Sequence, residues 1–401
     1  MESKKIWLSI AQMGGSEQQY INDAFEKNWV TPLGPNVTGF EKDIESFLNQ
    51  ECHVVALSSG TAAIHLALIQ LGIGAGDEVI CQSFTFSASA NPIVYQCAMP
   101  IFVDSEIDTW NISPILLEKA ILDRKMKTGK YPKAIIIVDL YGMPVKMDEI
   151  LIIASQYNIP IIEDAAEALG SEYKGRKCGT FGAFGVLSFN GNKIITTSGG
   201  GALICKRAEQ AKETVFLATQ AKENRPYYYH EKIGYNYRLS NICAGIGRGQ
   251  MEVLPQFLSR RREINSLYSE LFADVEGVYV MQCRDKMFNS NYWLTCIIID
   301  DTVLGVTVND IRLYLDSVDI ESRLLWKPLH MQPVFDSCPA YIDGTSERLF
   351  RNGLCLPSSP ALTNKDVEKV VTELKKYICD KGTEKLSRQV GLTSINEIKH
   401  I

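Results

Sequence analysis

The 401-residue sequence lacks the features that mark several common protein classes. It has eleven cysteines but no C-x-x-C pair, so neither a zinc site nor a disulfide framework is indicated. The formal net charge is −6 and no block of basic residues occurs, so nucleic-acid binding is not expected. No apolar run is long enough for a signal peptide or a membrane span. These absences predict a cytoplasmic protein without a nucleic-acid or membrane partner.

A nicotinamide-dependent dehydrogenase is also disfavoured, because no G-x-G-x-x-G motif follows the first predicted strands. The chain exceeds the size at which one hydrophobic core keeps growing, so two domains are expected. We place them at residues 1–254 and 255–380, followed by a polar tail over residues 381–401.

Between about residue 50 and residue 250, short β-branched runs alternate with segments of helical period. This alternation is typical of an α/β fold with a mostly parallel sheet covered by helices. After Pro255 the pattern changes to a long polar helix over residues 257–272, then two strands and two further helices, which predicts a smaller α+β domain. The seven strands predicted for the large sheet are Val54–Leu57, Glu78–Cys81, Ile101–Asp104, Ala134–Leu140, Ile159–Glu163, Gly185–Phe189 and Ala202–Cys205.

One candidate ligand site lies where the first predicted strand runs directly into an amphipathic helix, through Ser58-Ser59-Gly60-Thr61-Ala62. The N-terminus of a helix has free N–H groups and the positive end of the helix dipole, so it can bind a phosphate. Gly60 would let the backbone approach the ligand, and the Thr61 hydroxyl could donate a hydrogen bond. The same run is also typical of a helix cap without a ligand, so it does not establish a site by itself.

Two further segments place reactive side chains at the ends of strands. Asp164 follows an apolar strand, at the edge where open α/β sheets bind their ligands, although it could serve only as a helix N-cap. Lys193 lies between an apolar strand and a turn rich in Thr, Ser and Gly, which is an unusual setting for a solvated lysine. Together with Gly60 and Thr61, these residues predict one ligand site.

Several motifs of the sequence resemble those of a known family. They are Ser58-Ser59-Gly60-Thr61-Ala62-Ala63, Phe84-Thr85-Phe86, Glu163-Asp164-Ala165-Ala166, Ser188-Phe189 five residues before Lys193, and Gly234-Tyr235-Asn236-Tyr237-Arg238-Leu239-Ser240. With Trp29–Pro35 and Pro328–Pro333, the resemblance covers nearly the whole chain up to Asp380. The sequence is similar to the DegT/StrS family of sugar aminotransferases, which are enzymes of fold type I that depend on pyridoxal 5'-phosphate (PLP).

The resemblance implies specific roles for individual residues. Lys193 would form the Schiff base with PLP and move the proton, and Asp164 would keep the pyridine nitrogen protonated. Asn236 would reach the cofactor phosphate of the neighbouring subunit, so the resemblance implies a homodimer with shared active sites. The full implied set of cofactor contacts is Gly60, Thr61, Ala62, Phe86, Asp164, Glu167, Ser188, Lys193 and Asn236, and the candidate substrate contacts are Tyr237, Arg238, Lys327 and His330.

The sequence departs from the family pattern at two places. Glu167 stands where histidine or glutamine is frequent, and Ser198 with the following glycines replaces a more common Gly-Glu-Gly-Gly run. Relatives that dehydrate sugars with the same cofactor carry histidine in place of the lysine. Because this chain keeps Lys193, transamination is favoured.

The predicted reaction moves an amino group from L-glutamate, which leaves as 2-oxoglutarate, to a nucleotide-linked keto-sugar. Three segments, Leu8–Gly15, Ser188–Lys193 and Ser198–Gly201, resemble the branch that makes bacillosamine-type sugars. This resemblance implies amination at C4 of a UDP-linked 2-acetamido-4-keto-6-deoxy sugar. The alternatives are a GDP- or dTDP-linked keto-sugar aminated at C3 or C4, or another fold type I reaction such as a desulfurase or aldolase. A non-enzymatic regulator should lack the lysine or carry a DNA-binding module, and the sequence shows neither.

Overall fold

A computed structural model of the chain describes residues 5–283 and 285–397, with side chains as far as residue 381. Among these residues, no helix has the length and apolar character needed to cross a bilayer. The helices are α1 (Glu17–Glu26), α2 (Pro35–Leu48), α3 (Gly60–Gln70), α4 (Asn91–Tyr95), α5 (Pro114–Thr128), α6 (Met147–Gln156), α7 (Ala208–Ala218), α8 (Asn241–Phe272), α9 (Asp301–Leu304), α10 (Val308–Ser317), α11 (Thr345–Asn352) and α12 (Asn364–Glu397).

The strands form one large sheet and two smaller ones. They are β1 (His53–Leu57), β2 (Glu78–Gln82), β3 (Met99–Val103), β4 (Ala134–Val138), β5 (Ile161–Asp164), β6 (Glu172–Tyr173), β7 (Arg176–Lys177), β8 (Phe184–Ser188), β9 (Gly201–Cys205), β10 (Val278–Val280), β11 (Phe288–Asn289), β12 (Thr295–Ile299), β13 (Arg323–Leu324), β14 (Ala340–Tyr341) and β15 (Gly353–Leu356).

The large sheet has eight strands in the order β1, β9, β8, β5, β4, β2, β3 and β14. All seven strands predicted from the sequence are present in it. The eighth, β14, was not predicted, because two residues carry no alternation that a pattern could reveal. From β8 to β14 every neighbouring pair is parallel, and β9 alone runs antiparallel, to both β1 and β8. The prediction of a mostly parallel sheet is therefore confirmed.

The centre of the large sheet is buried on both faces. Every residue of β4 is buried, as expected for a parallel strand with helices on both sides, and this explains its unbroken Ala-Ile-Ile-Ile-Val run. Helix α3 is equally apolar and buries most of its length against β9 and β8. The sheet therefore forms a rigid platform whose polar residues are confined to the strand ends.

The C-terminal part of the chain forms an antiparallel sheet in the order β10, β12, β15 and β13, packed against α8. Helix α8 begins at Asn241, earlier than the predicted 257–272 segment, and runs through Pro255 without ending. The domain boundary predicted after residue 254 lies inside this helix and stays a prediction. Helix α12 continues to Glu397, so much of the predicted polar tail is helical, while residues 398–401 lie outside the described residues.

The segment before α1 lies along the C-terminal sheet. Ile6 forms a parallel bridge with Ile320, and the backbone N–H of Leu8 donates to the Glu321 carboxylate at 3.0 Å. The Leu8 carbonyl accepts from the Ser358 N–H at 2.8 Å, and the Ser9 hydroxyl donates to the Asn192 carbonyl at 3.2 Å. The N-terminal segment is thus bonded to both parts of the molecule.

A strained turn follows β4 at the carboxyl edge of the large sheet. Tyr141 and Gly142 both have positive φ, 52° and 90°. The Gly142 carbonyl accepts from the hydroxyls of Ser171 (2.6 Å) and Ser290 (2.9 Å). A Cβ atom on Gly142 would overlap the side-chain oxygen of Asn291, whose amide group donates to the Glu167 carbonyl at 2.8 Å. The turn is therefore held by two serine hydrogen bonds and by close packing against Asn291.

We expect Gly142→Ala to lower the free energy of unfolding by about 2 to 4 kcal/mol, because it adds left-handed backbone strain to the clash with Asn291. The measurement is urea unfolding of the cofactor-free protein. Gly74→Ala is the matched control, since a Cβ there meets no atom within 4 Å, and it should change stability by less than about 0.5 kcal/mol. Equal effects of the two substitutions would contradict the assigned strain.

Candidate active site

A cavity of about 560 Å³ opens at the carboxyl edge of the large sheet, where it meets the C-terminal sheet. Parallel strands end together at this edge, so side chains that are distant in sequence converge there. Seven of the residues predicted from the sequence line the cavity: Gly60, Thr61, Phe86, Asp164, Glu167, Ser188 and Lys193. The structure thus brings together residues from four separate segments of the large sheet and its loops.

The start of α3 forms one end of the cavity. The N-cap residue of α3 is Ser59, whose hydroxyl accepts a hydrogen bond from the Ala62 N–H at 3.0 Å. Ala62, which was predicted to contact the cofactor, therefore has its N–H already bonded, and it does not line the cavity. A Cβ on Gly60 would lie only 3.3 Å from the Ser188 Cβ, which shows how closely the helix start packs against β8. Gly60 and Thr61 place the positive end of the helix dipole at the cavity, a suitable position for a phosphate.

Asp164 lies at the floor of the cavity with 5% of its surface exposed. Its carboxylate accepts hydrogen bonds from the Ser89 hydroxyl at 2.7 Å and from the Ala166 N–H at 3.2 Å. The Thr85 hydroxyl lies 3.0 Å from the Ser89 hydroxyl. This hydrogen bond fixes the orientation of the Ser89 side chain. Burial raises the pKa of Asp164 above its usual range, so a cationic N–H group in the cavity would stabilise the ionised carboxylate.

Lys193 extends into the cavity from the turn after β8, with its side chain 13% exposed. Its Nζ donates to Glu167 Oε1 at 2.9 Å and lies 4.0 Å from the centre of the Trp293 ring. The other oxygen of Glu167 accepts from the Tyr141 N–H at 2.8 Å. Burial raises the pKa of Glu167 and the neighbouring lysine opposes this shift. The amine is therefore held between a carboxylate and an aromatic face.

Phe86 also lines the cavity, and 57% of its surface is exposed. Its ring lies 5.7 Å from that of Trp326, at a tilt of 46°. An aromatic ring exposed inside a cavity offers its face to a planar ligand. The predicted stacking position is therefore accessible.

The remaining predicted residues lie outside this cavity. Arg238 binds Glu41 at 2.6 Å and the Ala56 carbonyl at 3.0 Å, which ties the 236–240 segment to β1. The Tyr237 hydroxyl lies 3.3 Å from His65, and His330 Nδ1 lies 2.7 Å from the Ser83 hydroxyl. Lys327 and the exposed Asn236 are also absent from the lining. Within the described chain, these side chains do not meet the candidate cofactor contacts.

The cavity also contains residues that sequence reasoning missed. Ser89 could have been found, because it closes the polar run after β2, the strand next to β4 in the sheet. Asn190 and Asn192 lie within the three residues before Lys193 and could have been included with it. Trp293, Arg323 and Trp326 come from the C-terminal part, and only the folded chain reveals that they complete the cavity wall.

Comparison with known proteins agrees with this geometry. EpsN from Bacillus subtilis (strain 168), whose name provisionally describes a pyridoxal phosphate-dependent aminotransferase, is 48% identical over 375 residues, which cover 92% of this chain and 95% of EpsN. The GDP-perosamine synthase of Escherichia coli O157:H7 is 35% identical, and the match covers 94% of this chain and 100% of the synthase. A crystal structure of a DegT DnrJ EryC1 StrS aminotransferase from Brucella abortus superposes with a TM-score of 0.84 at 30% identity, over 90% of this chain and 95% of that one.

A family model gives the same result. The model of the DegT/DnrJ/EryC1/StrS aminotransferase family matches residues 11–375, which include all three sheets and every cavity residue named above. Leu8, which also lines the cavity, precedes the matched residues. The resemblance stated from the motifs, the fold class and the use of PLP are thereby confirmed. This chain belongs to the DegT/DnrJ/EryC1/StrS family and is a PLP-dependent aminotransferase.

Proposed function

We propose that this aminotransferase holds PLP covalently on Lys193 and transfers an amino group to a nucleotide-linked keto-sugar. The observation that carries the proposal is the convergence of Lys193, Asp164 and the start of α3 on one cavity. PLP has a phosphate, a pyridine nitrogen, a planar ring and an aldehyde. The cavity offers a separate group for each of them.

The buried carboxylate supports this fit independently of any resemblance. Asp164 is held at the cavity by Ser89 and Ala166, and its raised pKa shows that burial alone disfavours its charge. A pyridinium N–H would supply the opposite charge. Bound PLP draws electrons from the carbon that bears the transferred amine, and a carboxylate at the ring nitrogen strengthens this effect.

The other residues of the cavity have complementary roles in this proposal. The N-terminal turn of α3, with Gly60, Thr61 and the adjacent Ser188, binds the phosphate, and the exposed face of Phe86 covers the ring. Lys193 moves the proton between the substrate carbon and its own amine. Glu167 receives a hydrogen bond from that amine, so it fixes the direction in which the lysine points.

A second copy of the chain completes the proposed site. Asn236 is exposed and lies outside the cavity of its own chain, as expected if it serves the neighbouring subunit. The loop that precedes it also exposes Tyr227, Tyr228 and Ile233, which are large apolar side chains suited to a protein contact. We therefore propose a homodimer in which each subunit contributes to both sites.

For the acceptor we propose a UDP-linked 2-acetamido-4-keto-6-deoxy sugar, aminated at C4, with L-glutamate as the donor. The resemblance of Leu8–Gly15, Ser188–Lys193 and Ser198–Gly201 to the bacillosamine branch supports it, and each segment contributes to the cavity lining. Asn190 at the cavity can pair with an acetamido group, and the Arg323 guanidinium can pair with a diphosphate. The second candidate is a GDP-linked keto-sugar, which is favoured by the 35% identity to GDP-perosamine synthase.

We expect Lys193→Ala to remove the visible absorption band of the lysine-bound cofactor and to lower turnover by at least about 10³-fold, because the covalent attachment and the proton carrier are lost together. Absorption spectra and product assays measure both effects. Lys174→Ala, at an exposed lysine that pairs with Asp148, is the control and should keep the band and the activity. A yellow and active Lys193→Ala protein would refute the assignment.

We expect Asp164→Asn to raise the free energy of unfolding of the cofactor-free protein at neutral pH while lowering turnover by about 100-fold or more. The folded-state pKa of Asp164 lies above its unfolded value, so ionisation costs stability as the pH rises through the folded-state pKa. An amide avoids this cost, and the Ser89 hydroxyl can accept from it. Thermal unfolding at pH 5 and pH 8 measures the effect, with the exposed Asp336→Asn as control. Equal unfolding temperatures of the variant and the parent at pH 8 would contradict the prediction.

The acceptor is tested by comparing kcat/KM for the UDP-linked 2-acetamido ketone with kcat/KM for GDP- and dTDP-linked 4-keto-6-deoxyhexoses. We expect a preference of at least about 100-fold for the UDP sugar, because a polar group built to pair with the acetamido group is left unpaired by a hydroxyl sugar. A preference for the GDP sugar would establish the second candidate. The aminotransferase assignment would be unaffected.

A further inference from the structure

The indole ring of Trp293 forms the part of the cavity wall that faces the reactive amine of Lys193. The Lys193 Nζ lies 4.0 Å from the ring centre, well inside the range of a cation–π contact. Only 4% of the Trp293 surface is exposed, so water screens this contact little. The amine therefore has an aromatic face on one side and, at 2.9 Å, the Glu167 carboxylate on another.

The ring is fixed by hydrogen bonds at several points. The Trp293 Nε1–H donates to the Asn192 carbonyl at 2.7 Å, which ties the ring to the residue that precedes the lysine. The Trp293 backbone N–H donates to Asn291 at 2.8 Å, and its carbonyl accepts from the buried Arg261 guanidinium. The ring also stacks with Tyr141 at 6.3 Å. Trp293 is thus rigid relative to Lys193 in both the backbone and the side chain.

We infer that Trp293 is a positioning residue that holds the ammonium form of Lys193 at the cavity wall during proton transfer. This inference rests on the proposed role of Lys193 as the proton carrier. The neutral amine takes the α-proton of the bound amino donor and becomes the ammonium, while the C–H electron pair stays with the substrate carbon and is drawn into the cofactor. Trp293 and Glu167 then stabilise the ammonium in one place until the proton is returned.

Several charged groups face the amine and enter the pH dependence. Glu167 is bonded to it, Asp164 interacts with it across the cavity floor, and Arg261 borders a small void that Lys193 also borders. The two carboxylates attract the ammonium. A change at Trp293 leaves all three in place, so the ring's own contribution can be isolated.

The experiment measures the rate at which the cofactor-free protein binds PLP, as visible absorbance, across the pH range. Attachment requires the neutral amine, so a group that stabilises the ammonium moves the rate profile to higher pH. We expect Trp293→Leu to move the midpoint to lower pH by about one unit and Trp293→Phe to move it by less. Trp110→Phe, which removes another buried indole away from the cavity, is the control and should leave the midpoint in place.

A second measurement avoids any loss of folding in the variants. Growth with 5-fluorotryptophan, and then with more heavily fluorinated tryptophans, weakens the negative face of the indole while nearly keeping its shape. The midpoint should move stepwise to lower pH in the parent protein. The same labelling of Trp293→Phe should leave the midpoint of its pH profile unchanged, because no other tryptophan among the described residues lies against the Lys193 amine.

A third measurement follows proton transfer itself. The exchange rate of the donor α-hydrogen with solvent should fall by about 10-fold in Trp293→Leu.

The outcomes separate this inference from the assignment of the lysine. If the midpoint stays fixed across Trp, Phe and Leu and across the fluorinated series, while Lys193→Ala has lost the visible band, Trp293 only packs and the inference is wrong. If Lys193→Ala keeps the visible band, the assignment of the lysine itself is wrong. A stepwise displacement of the midpoint supports both the role of Trp293 and the assignment of Lys193, because the Lys193 ammonium is the cation that lies against the Trp293 ring.

Discussion

The buried carboxyl edge of the large sheet imposes one constraint on which the surrounding structure depends: a carboxylate removed from water needs hydrogen-bond donors. Glu163 is fully buried at this edge and accepts from the N–H groups of Gly179 at 2.7 Å and Phe181 at 2.8 Å. Burial raises the pKa of Glu163, and these bonds oppose the rise. Because both donors belong to one turn, satisfying this carboxylate folds the turn onto the sheet.

The same constraint shapes the cavity, with one difference. Glu163 is satisfied by backbone groups, whereas Asp164 and Glu167 use side chains and single N–H groups and keep bonding capacity toward the cavity. Tyr141 illustrates how this is achieved. Its left-handed backbone conformation turns its N–H toward Glu167, and its hydroxyl accepts from the Trp326 N–H at 3.0 Å. A strained turn thus connects the sheet edge to the C-terminal wall of the cavity.

The sequence revealed the parts of this arrangement that are encoded locally. Strand periodicity located the large sheet, and the residues at strand ends, such as Asp164 and Lys193, could be assigned to one edge because parallel strands share their polarity. The strand β14 and the wall formed by Trp293 and Arg323 escaped prediction, since their positions depend on contacts between distant segments that leave no local pattern. The strain at Tyr141 was invisible for a related reason: a left-handed tyrosine is specified by its neighbours in space and not by its own residue type.

Residues 6–9, which precede α1, contact both parts of the active site. Leu8 lines the cavity and is bonded to Glu321 and Ser358 of the C-terminal part, while Ser9 bonds to Asn192 beside the lysine. Leu8 and Ser9 therefore connect the large-sheet side of the active site to its C-terminal side through hydrogen bonds. Removal of residues 6–9 would therefore change the shape of the catalytic cavity as well as the contact between the large sheet and the C-terminal part.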